Sequence, residues 1–332
     1  MAGMWLTCKQ IKHSFIRGFT IVNKLQNRLW PHNAAAAVPK GPQRNADVAP
    51  AGVRFSRGNK LRVLTRRSCA LAFLLLASLT QSAPLRAQAG QAAQDELVAV
   101  PNRPTFATTG ETVQRGVLEI EYGLEAAAGH QNMNGLLKFG LFKNLELRLA
   151  NNPFQRDNGV AGLTDTGVGF KFKVFPQKGP RPTFSILYTA TLPTATNSLG
   201  IGATGHSVQL LVSKDFGKHH IDLNEGVQFV GRPGVGGYDR NYFSSFSYAH
   251  PLKGKWSWTG EVAGFSWTNA TTPASMVVLG AVTYSPSPRL VLDSGVYVTV
   301  YGSLPRVVGF VGFTYAIADL YHPHAARKSG KN

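Results

Sequence analysis

The chain is poor in several things that would mark a soluble enzyme or a nucleic-acid binder. Its 332 residues contain two cysteines, Cys8 and Cys69, so everything after residue 69 is built without disulfides. Acid is scarce at the front: residues 1–89 hold 14 Lys and Arg against one carboxylate, Asp47. The remainder holds 21 basic and 16 acidic residues, so the net charge of +18 belongs mostly to the first segment. That distribution argues against a basic nucleic-acid-binding domain. Long apolar runs are also missing. None after residue 89 reaches the about 18 residues of a spanning helix, and no stretch there keeps a helical period. The chain is not a helical membrane protein.

The basic front has its own logic. Arg62, Arg66 and Arg67 precede an apolar run of eleven residues, 69–79, and Ala87-Gln88-Ala89 is a small-x-small cleavage signature. This is the order of a secretory signal peptide over 60–89, with cleavage at Ala87 and Ala89, and the run is too short to cross a bilayer. Residues 1–59 are basic and lack a clean period. They are expected to be a disordered extension or an over-extended start assignment, with translation beginning near Leu61, Val63 or Leu64; a transit-type extension is the other reading. Residues 90–116 are polar, carry Pro101 and Pro104, and read as a periplasmic lead-in.

What is abundant is alternation. Leu145, Leu147 and Leu149 alternate with Glu146 and Arg148; Val168, Phe170, Phe172 and Val174 alternate with Gly167, Gly169, Lys171 and Lys173. Side chains of a strand point to opposite faces with period two. The pattern recurs in twelve segments: 117–127, 132–142, 145–151, 163–175, 183–192, 206–215, 219–230, 241–250, 256–266, 275–284, 290–300 and 306–316. One face is apolar, carrying for example Leu118, Ile120, Phe139, Leu210 and Val296. The other carries Glu119, Glu121, Glu125, Lys138, Glu146, Arg148, Lys171, Lys173, Gln209, Asp222, Asn224, Gln228, Glu261 and Asp293. Mid-strand charges are costly in a dry core, but a membrane barrel turns its apolar face to lipid and its polar face to the lumen. Glu225 has the parity of the apolar face, and a bulge near Asn224 would be needed to turn it inward.

Connections alternate in length. Short turns contain Lys143-Asn144, residues 176–181, Gly217-Lys218, 251–255 and 285–289. Between them fall mostly longer links: 152–162, 193–205, 231–240 and 267–274. Short turns at one rim and longer loops at the other are the habit of an outer-membrane barrel, with the short turns periplasmic. Aromatic residues gather near strand ends, where a barrel places its girdles. The expected architecture is an all-β, twelve-stranded, up-and-down antiparallel transmembrane barrel over 117–316, followed by a tail over 317–332. A soluble periplasmic β-sandwich is the rival.

Several segments also resemble a known family. Asn102-Arg103-Pro104-Thr105-Phe106, Thr112-Val113-Gln114-Arg115-Gly116 and the strand Leu118-Glu119-Ile120-Glu121-Tyr122 open the chain as that family opens. Leu136-Leu137-Lys138-Phe139-Gly140-Leu141 with Leu145-Glu146-Leu147-Arg148 is similar to its second hairpin. Gly162-Leu163-Thr164-Asp165 through Lys171-Phe172-Lys173, and the exit Leu192-Pro193-Thr194, continue the likeness to about Ala316. It is the outer-membrane transporter family named for the meta-pathway of phenol degradation. The resemblance implies an outer-membrane barrel that passes hydrophobic, often aromatic, compounds. The chain departs from the barrel pattern at its end, continuing past Tyr315 with Leu320-Tyr321-His322-Pro323-His324 and a basic tail.

No catalytic residue, metal site or cofactor is expected. Gly205-His206-Ser207 invites comparison with the Ser–His pair of an outer-membrane lipid hydrolase, but neighbours on a strand face opposite ways and cannot form a dyad. His219-His220 and the pair His322 and His324 supply too few ligands for a closed metal site. Gly234-Val235-Gly236-Gly237 lacks the following helix of a phosphate cradle. The function expected is passage of small, hydrophobic or aromatic, molecules across the bacterial outer membrane. The alternatives are a structural barrel with a plugged lumen and, third, a lipid hydrolase. Twelve strands fall between barrels filled by side chains and those with an aqueous channel, which favours a narrow or gated path. Expected partners are outer-membrane lipid and lipopolysaccharide, the barrel-assembly machinery and the solute, with no nucleic acid.

Overall fold

A computed structural model describes residues 96–302 and 307–322. The strands are β1 (Val117–Ala127), β2 (His130–Phe142), β3 (Leu145–Asp157), β4 (Val160–Gly162), β5 (Thr166–Phe175), β6 (Thr183–Leu192), β7 (Gly205–Phe216), β8 (His219–Gly231), β9 (Tyr238–Pro251), β10 (Trp256–Phe265), β11 (Ser275–Ser287), β12 (Leu290–Tyr301) and β13 (Val307–Asp319). All neighbours pair antiparallel, and the ring closes because β1 bonds to both β13 and β2 while β2 bonds to β3. β4 adds no stave of its own. It pairs with Gln155–Asp157 of β3, beyond the stretch where β5 takes over as the partner. The result is a closed twelve-stranded barrel.

Strands β1 and β6 coincide with the segments read from alternation, and most others differ by a few residues at their ends. The largest difference lies at 152–162, expected to be a loop. Here β3 runs on to Asp157, and Asn158-Gly159, both at positive φ, turn the chain into β4. Asn-Gly is the strongest two-residue hairpin signal, because both residues tolerate the left-handed region. The strand expected from residue 163 accordingly begins only at Thr166. The barrel also extends to Asp319 rather than 316, after which the Tyr321 ring packs edge-on against Phe139 at 5.7 Å. The extension 1–59, the signal segment 60–89 with Ala87 and Ala89, and tail residues 323–332 lie outside the described residues.

The two faces separate cleanly. Leu147, Leu149, Phe170, Phe172, Leu210, Leu223, Val278 and Val296 stand exposed on the outside. Between them Glu119, Glu146 and Lys171 are fully buried on the inside. A soluble sandwich would do the reverse. A closed wall with an apolar exterior satisfies its backbone internally and needs hydrocarbon around it, so the barrel stands in a bilayer. Aromatic pairs mark both rims: Trp256 with Tyr284 and Phe175 with Phe184 at the short-turn rim, Phe229 with Tyr238 at the other. The register of β8 with β7 and β9 runs without interruption, so no bulge turns Glu225 inward. It lies on the outer face and accepts a hydrogen bond from Ser244 Oγ at 2.6 Å.

The segment before β1, read from the sequence as a periplasmic lead-in, is folded into the lumen from Ala99 to Val113. The reason is the density of unpaired acceptors and donors on the inner face, which an irregular backbone can satisfy.

Candidate functional site: a strapped lumen

The inner face carries a charge network on β1, β2, β3 and β5. Lys138 on β2 bridges Glu119 and Glu121 of β1. Glu146 on β3 binds Arg148 at 2.8 Å and faces Lys171 of β5 at 3.6 Å. Three acids meet three bases, and Glu119, Glu121, Lys138, Glu146 and Lys171 are each at most 2% exposed. Asp222, Asn224, Glu261 and Asp293 are buried on the inner faces of β8, β10 and β12, and Lys173, Gln209, Gln228 and Glu125 are partly so.

Across this surface runs a strap. It enters at the short-turn rim, where Ala99 N donates to Pro288 O at 2.8 Å. Val100 N then donates to Glu119, and Asn102 donates to Glu121 through both its backbone N and its Nδ2. Arg103 forms a bidentate pair with Asp293, both contacts at 3.1 Å. Phe106 N and Ala107 N donate to the two oxygens of Glu261 at 2.7 and 2.6 Å. The chain turns back through Thr108, which exchanges hydrogen bonds with the Asn224 amide, and Gly110, whose N donates to Ser213 Oγ and whose carbonyl accepts from Ser185 Oγ. Lys171 donates to Thr109 O, and Val113 N donates to Glu146. The strap leaves at the rim where it entered, with Gly116 N on Gly140 O.

Irregular backbone inside a barrel must find a partner for each polar group. The inner carboxylates supply acceptors in the order that the strap passes them. Hydrogen bonds to charged groups each contribute about 1.5–3 kcal/mol. Glycines open the way: a Cβ on Gly123 or Gly312 would collide with the Arg103 guanidinium, and one on Gly140 with Gln114 O. Near the exit, Glu111 holds Lys173 at 2.8 Å and accepts from Thr183 Oγ1. Burial raises the Glu111 carboxyl, but the bonds from Lys173 and Thr183 outweigh it and hold it below its ordinary value of 4.5.

Above the strap a cavity remains, of about 330 Å³. Its walls come from the loop-side halves of β1, β2, β11, β12 and β13, and its floor is Asn102–Phe106. Phe106 stands edge-on to Tyr297 at 5.3 Å and to Phe265 at 5.9 Å, while Tyr297 and Phe310 lie 6.5 Å apart. Arg103 sits over the Phe310 ring at 5.9 Å. Among the described residues, the lumen is therefore filled by chain on its short-turn side and keeps a cavity on its long-loop side.

Alternation alone singled out neither Arg103, Phe106, Tyr297 nor Phe310. Arg103 and Phe106 lie in a segment with no period. Tyr297 and Phe310 are aromatic and so do not stand out from the greasy residues of the opposite face. The usable signal was the run of inward glycines on β1, β2 and β13, which mark a close approach by other chain. His206 and Ser207 do face opposite ways: His206 bonds Tyr188 OH at 2.8 Å. Among the described residues no group of three or more His, Cys, Asp or Glu could hold a metal ion.

The fold is similar to that of a solved outer-membrane channel. An outer membrane channel from Pseudomonas putida F1 matches with a TM-score of 0.51 at 12% identity, over 64% of this chain and all of that one. The NanC porin matches over 60% of this chain at 9% identity with a TM-score of 0.46, and the KdgM porin over 60% at 12% with 0.44. No curated protein matches the chain in sequence. The family model described as "Putative MetA-pathway of phenol degradation" matches residues 101–315, from the strap through the last strand. That span takes in both the wall and the segment threaded through it, and the chain belongs to this family.

Proposed function

We propose that this barrel passes small molecules, of hydrophobic or aromatic character, across the bacterial outer membrane. The observation that carries the reading is the part-filled lumen: an aromatic-lined cavity of about 330 Å³ on the loop side, floored by a strap held by hydrogen bonds rather than by covalent links. A floor of this kind can shift without breaking the wall. The cavity has the size and mixed lining of a site for a small ligand. Export through the signal segment 60–89, assembly by the barrel-assembly machinery, and contact with lipopolysaccharide belong to the same reading.

Liposome swelling with uncharged aromatic solutes, beside single-channel recording, tests it. Flux through the intact barrel is the expected result. No flux and no conductance would favour the second reading, a structural barrel, for which the dense hydrogen bonding of the strap speaks. Catalysis has no support in the geometry of His206 and Ser207, and labelling of Ser207 by a serine-reactive probe would overturn that judgement.

A further inference from the structure

We propose that the cavity above the strap is a binding site for a small organic cation, a protonated amine carried on an aromatic or apolar body. This rests on the reading of the barrel as a passage and names the class of solute that it prefers.

The argument is one of charge balance in a confined space. Two charged groups on the floor and wall are already matched. Arg103 is committed to Asp293 through both nitrogens of a bidentate pair, and Glu121 is neutralised within the network centred on Lys138. Glu125 is different. It lines the cavity from β1, it is half-buried, and its hydrogen-bond partner is the neutral Tyr297 hydroxyl at 3.1 Å. Among the described residues it has no ion pair. The cavity thus presents a carboxylate that, among the described residues, has a hydrogen bond but no ion pair.

Its surroundings complete the site. Phe106, Tyr297 and Phe310 bring three rings to the same space, and the negative faces of such rings attract a cation. Phe310 already receives the Arg103 guanidinium at 5.9 Å, so the rings offered to an entering cation are those of Phe106 and Tyr297. Leu136 and Leu279 give the apolar body somewhere to lie. A ligand carboxylate would meet Glu125 with like charge and find Arg103 occupied. A neutral alcohol would fill the apolar part and give Glu125 one hydrogen bond, without the charge–charge and cation–π attraction.

Calorimetric titration of the full-length barrel in detergent, at about pH 8 where carboxylates are ionised, tests this with three probes of one shape: benzylammonium, benzyl alcohol and benzoate. Benzylammonium is expected to bind about tenfold more tightly than benzyl alcohol, with benzoate weakest. In Glu125→Gln, whose folding is checked by heat-modifiable gel migration, the preference should shrink to about twofold or less. Equal binding of benzyl alcohol or benzoate to the unaltered protein would overturn the proposal, whether or not the variant folds. So would an undiminished preference in the variant. Because equilibrium binding needs no flux, failure here leaves passage of uncharged solutes to be judged by liposome swelling alone.

Discussion

The two halves of the lumen are built from the same strands but are finished differently. Toward the short turns, acids and bases are matched and buried, and the strap passing them donates backbone N–H groups of Val100, Asn102 and Val113 to their carboxylates. Toward the long loops, the lining becomes aromatic, the strap turns away at Phe106, and among the described residues Glu125 is hydrogen-bonded to a tyrosine hydroxyl and has no ion pair. The contrast teaches that an inward charge can serve two ends. Where backbone is near, it seats chain; where no backbone comes near, it faces the space a solute would enter.

The comparison can be broken most severely at Lys138. Replacing it with Met leaves Glu119 and Glu121 buried against each other without their cation. Removing one partner of a buried pair costs about 3–5 kcal/mol. Lys138→Met should lower the unfolding midpoint in denaturant more than any other lumen change, read by heat-modifiable migration.

A smaller and more local effect is expected at Glu261. Its loss as Glu261→Ala strands the backbone N–H groups of Phe106 and Ala107, each an unsatisfied buried donor worth about 1–3 kcal/mol. The wall should survive, and the apex of the strap should loosen. Single-channel recording should show higher or more frequent conductance; unchanged traces would mean that the strap is held elsewhere.

Smaller again is Gly123→Ala. The added Cβ would lie 2.1 Å from Arg103 Cζ, so the guanidinium must move and its pair with Asp293 is disturbed. The expected readout is altered ligand binding in the cavity, with stability little changed. Ala at this place with wild-type titration curves would show that Arg103 has a second comfortable position.

The smallest effect belongs to Glu111, whose side chain is 43% exposed. Its carboxyl is held below the ordinary 4.5, so the folded state binds its proton less readily than the unfolded one. The stability it lends is complete above pH 4.5 and is lost as the pH falls through the lowered folded value. Glu111→Gln should flatten that acid limb of the melting curve and leave neutral behaviour almost untouched, since exposed pairs contribute about 0.2–1 kcal/mol.

How much of this was legible in the chain varies with the kind of signal. The wall was, because period-two alternation is a one-dimensional record of which face meets which medium; Leu145 to Leu149 record it in five residues. The lumen charges were legible for the same reason, as positions on a face. The β3–β4 hairpin is encoded in Asn158-Gly159, inside a polar stretch whose composition is that of a loop. Glu225 was placed correctly by parity, and the bulge that would have turned it inward is absent.

The strap was not legible, and the physical reason is general. Residues 99–113 have no period because an irregular segment satisfies its backbone one contact at a time, with partners as distant as Glu261 and Asp293. By itself the sequence determined that a twelve-stranded wall would form, with apolar side chains on one face and polar side chains on the other. Only the tertiary structure decided what those side chains do. Whether a carboxylate holds the strap, as Glu261 does, or faces open space, as Glu125 does, depends on where another part of the chain comes to rest, and no local pattern encodes that distance.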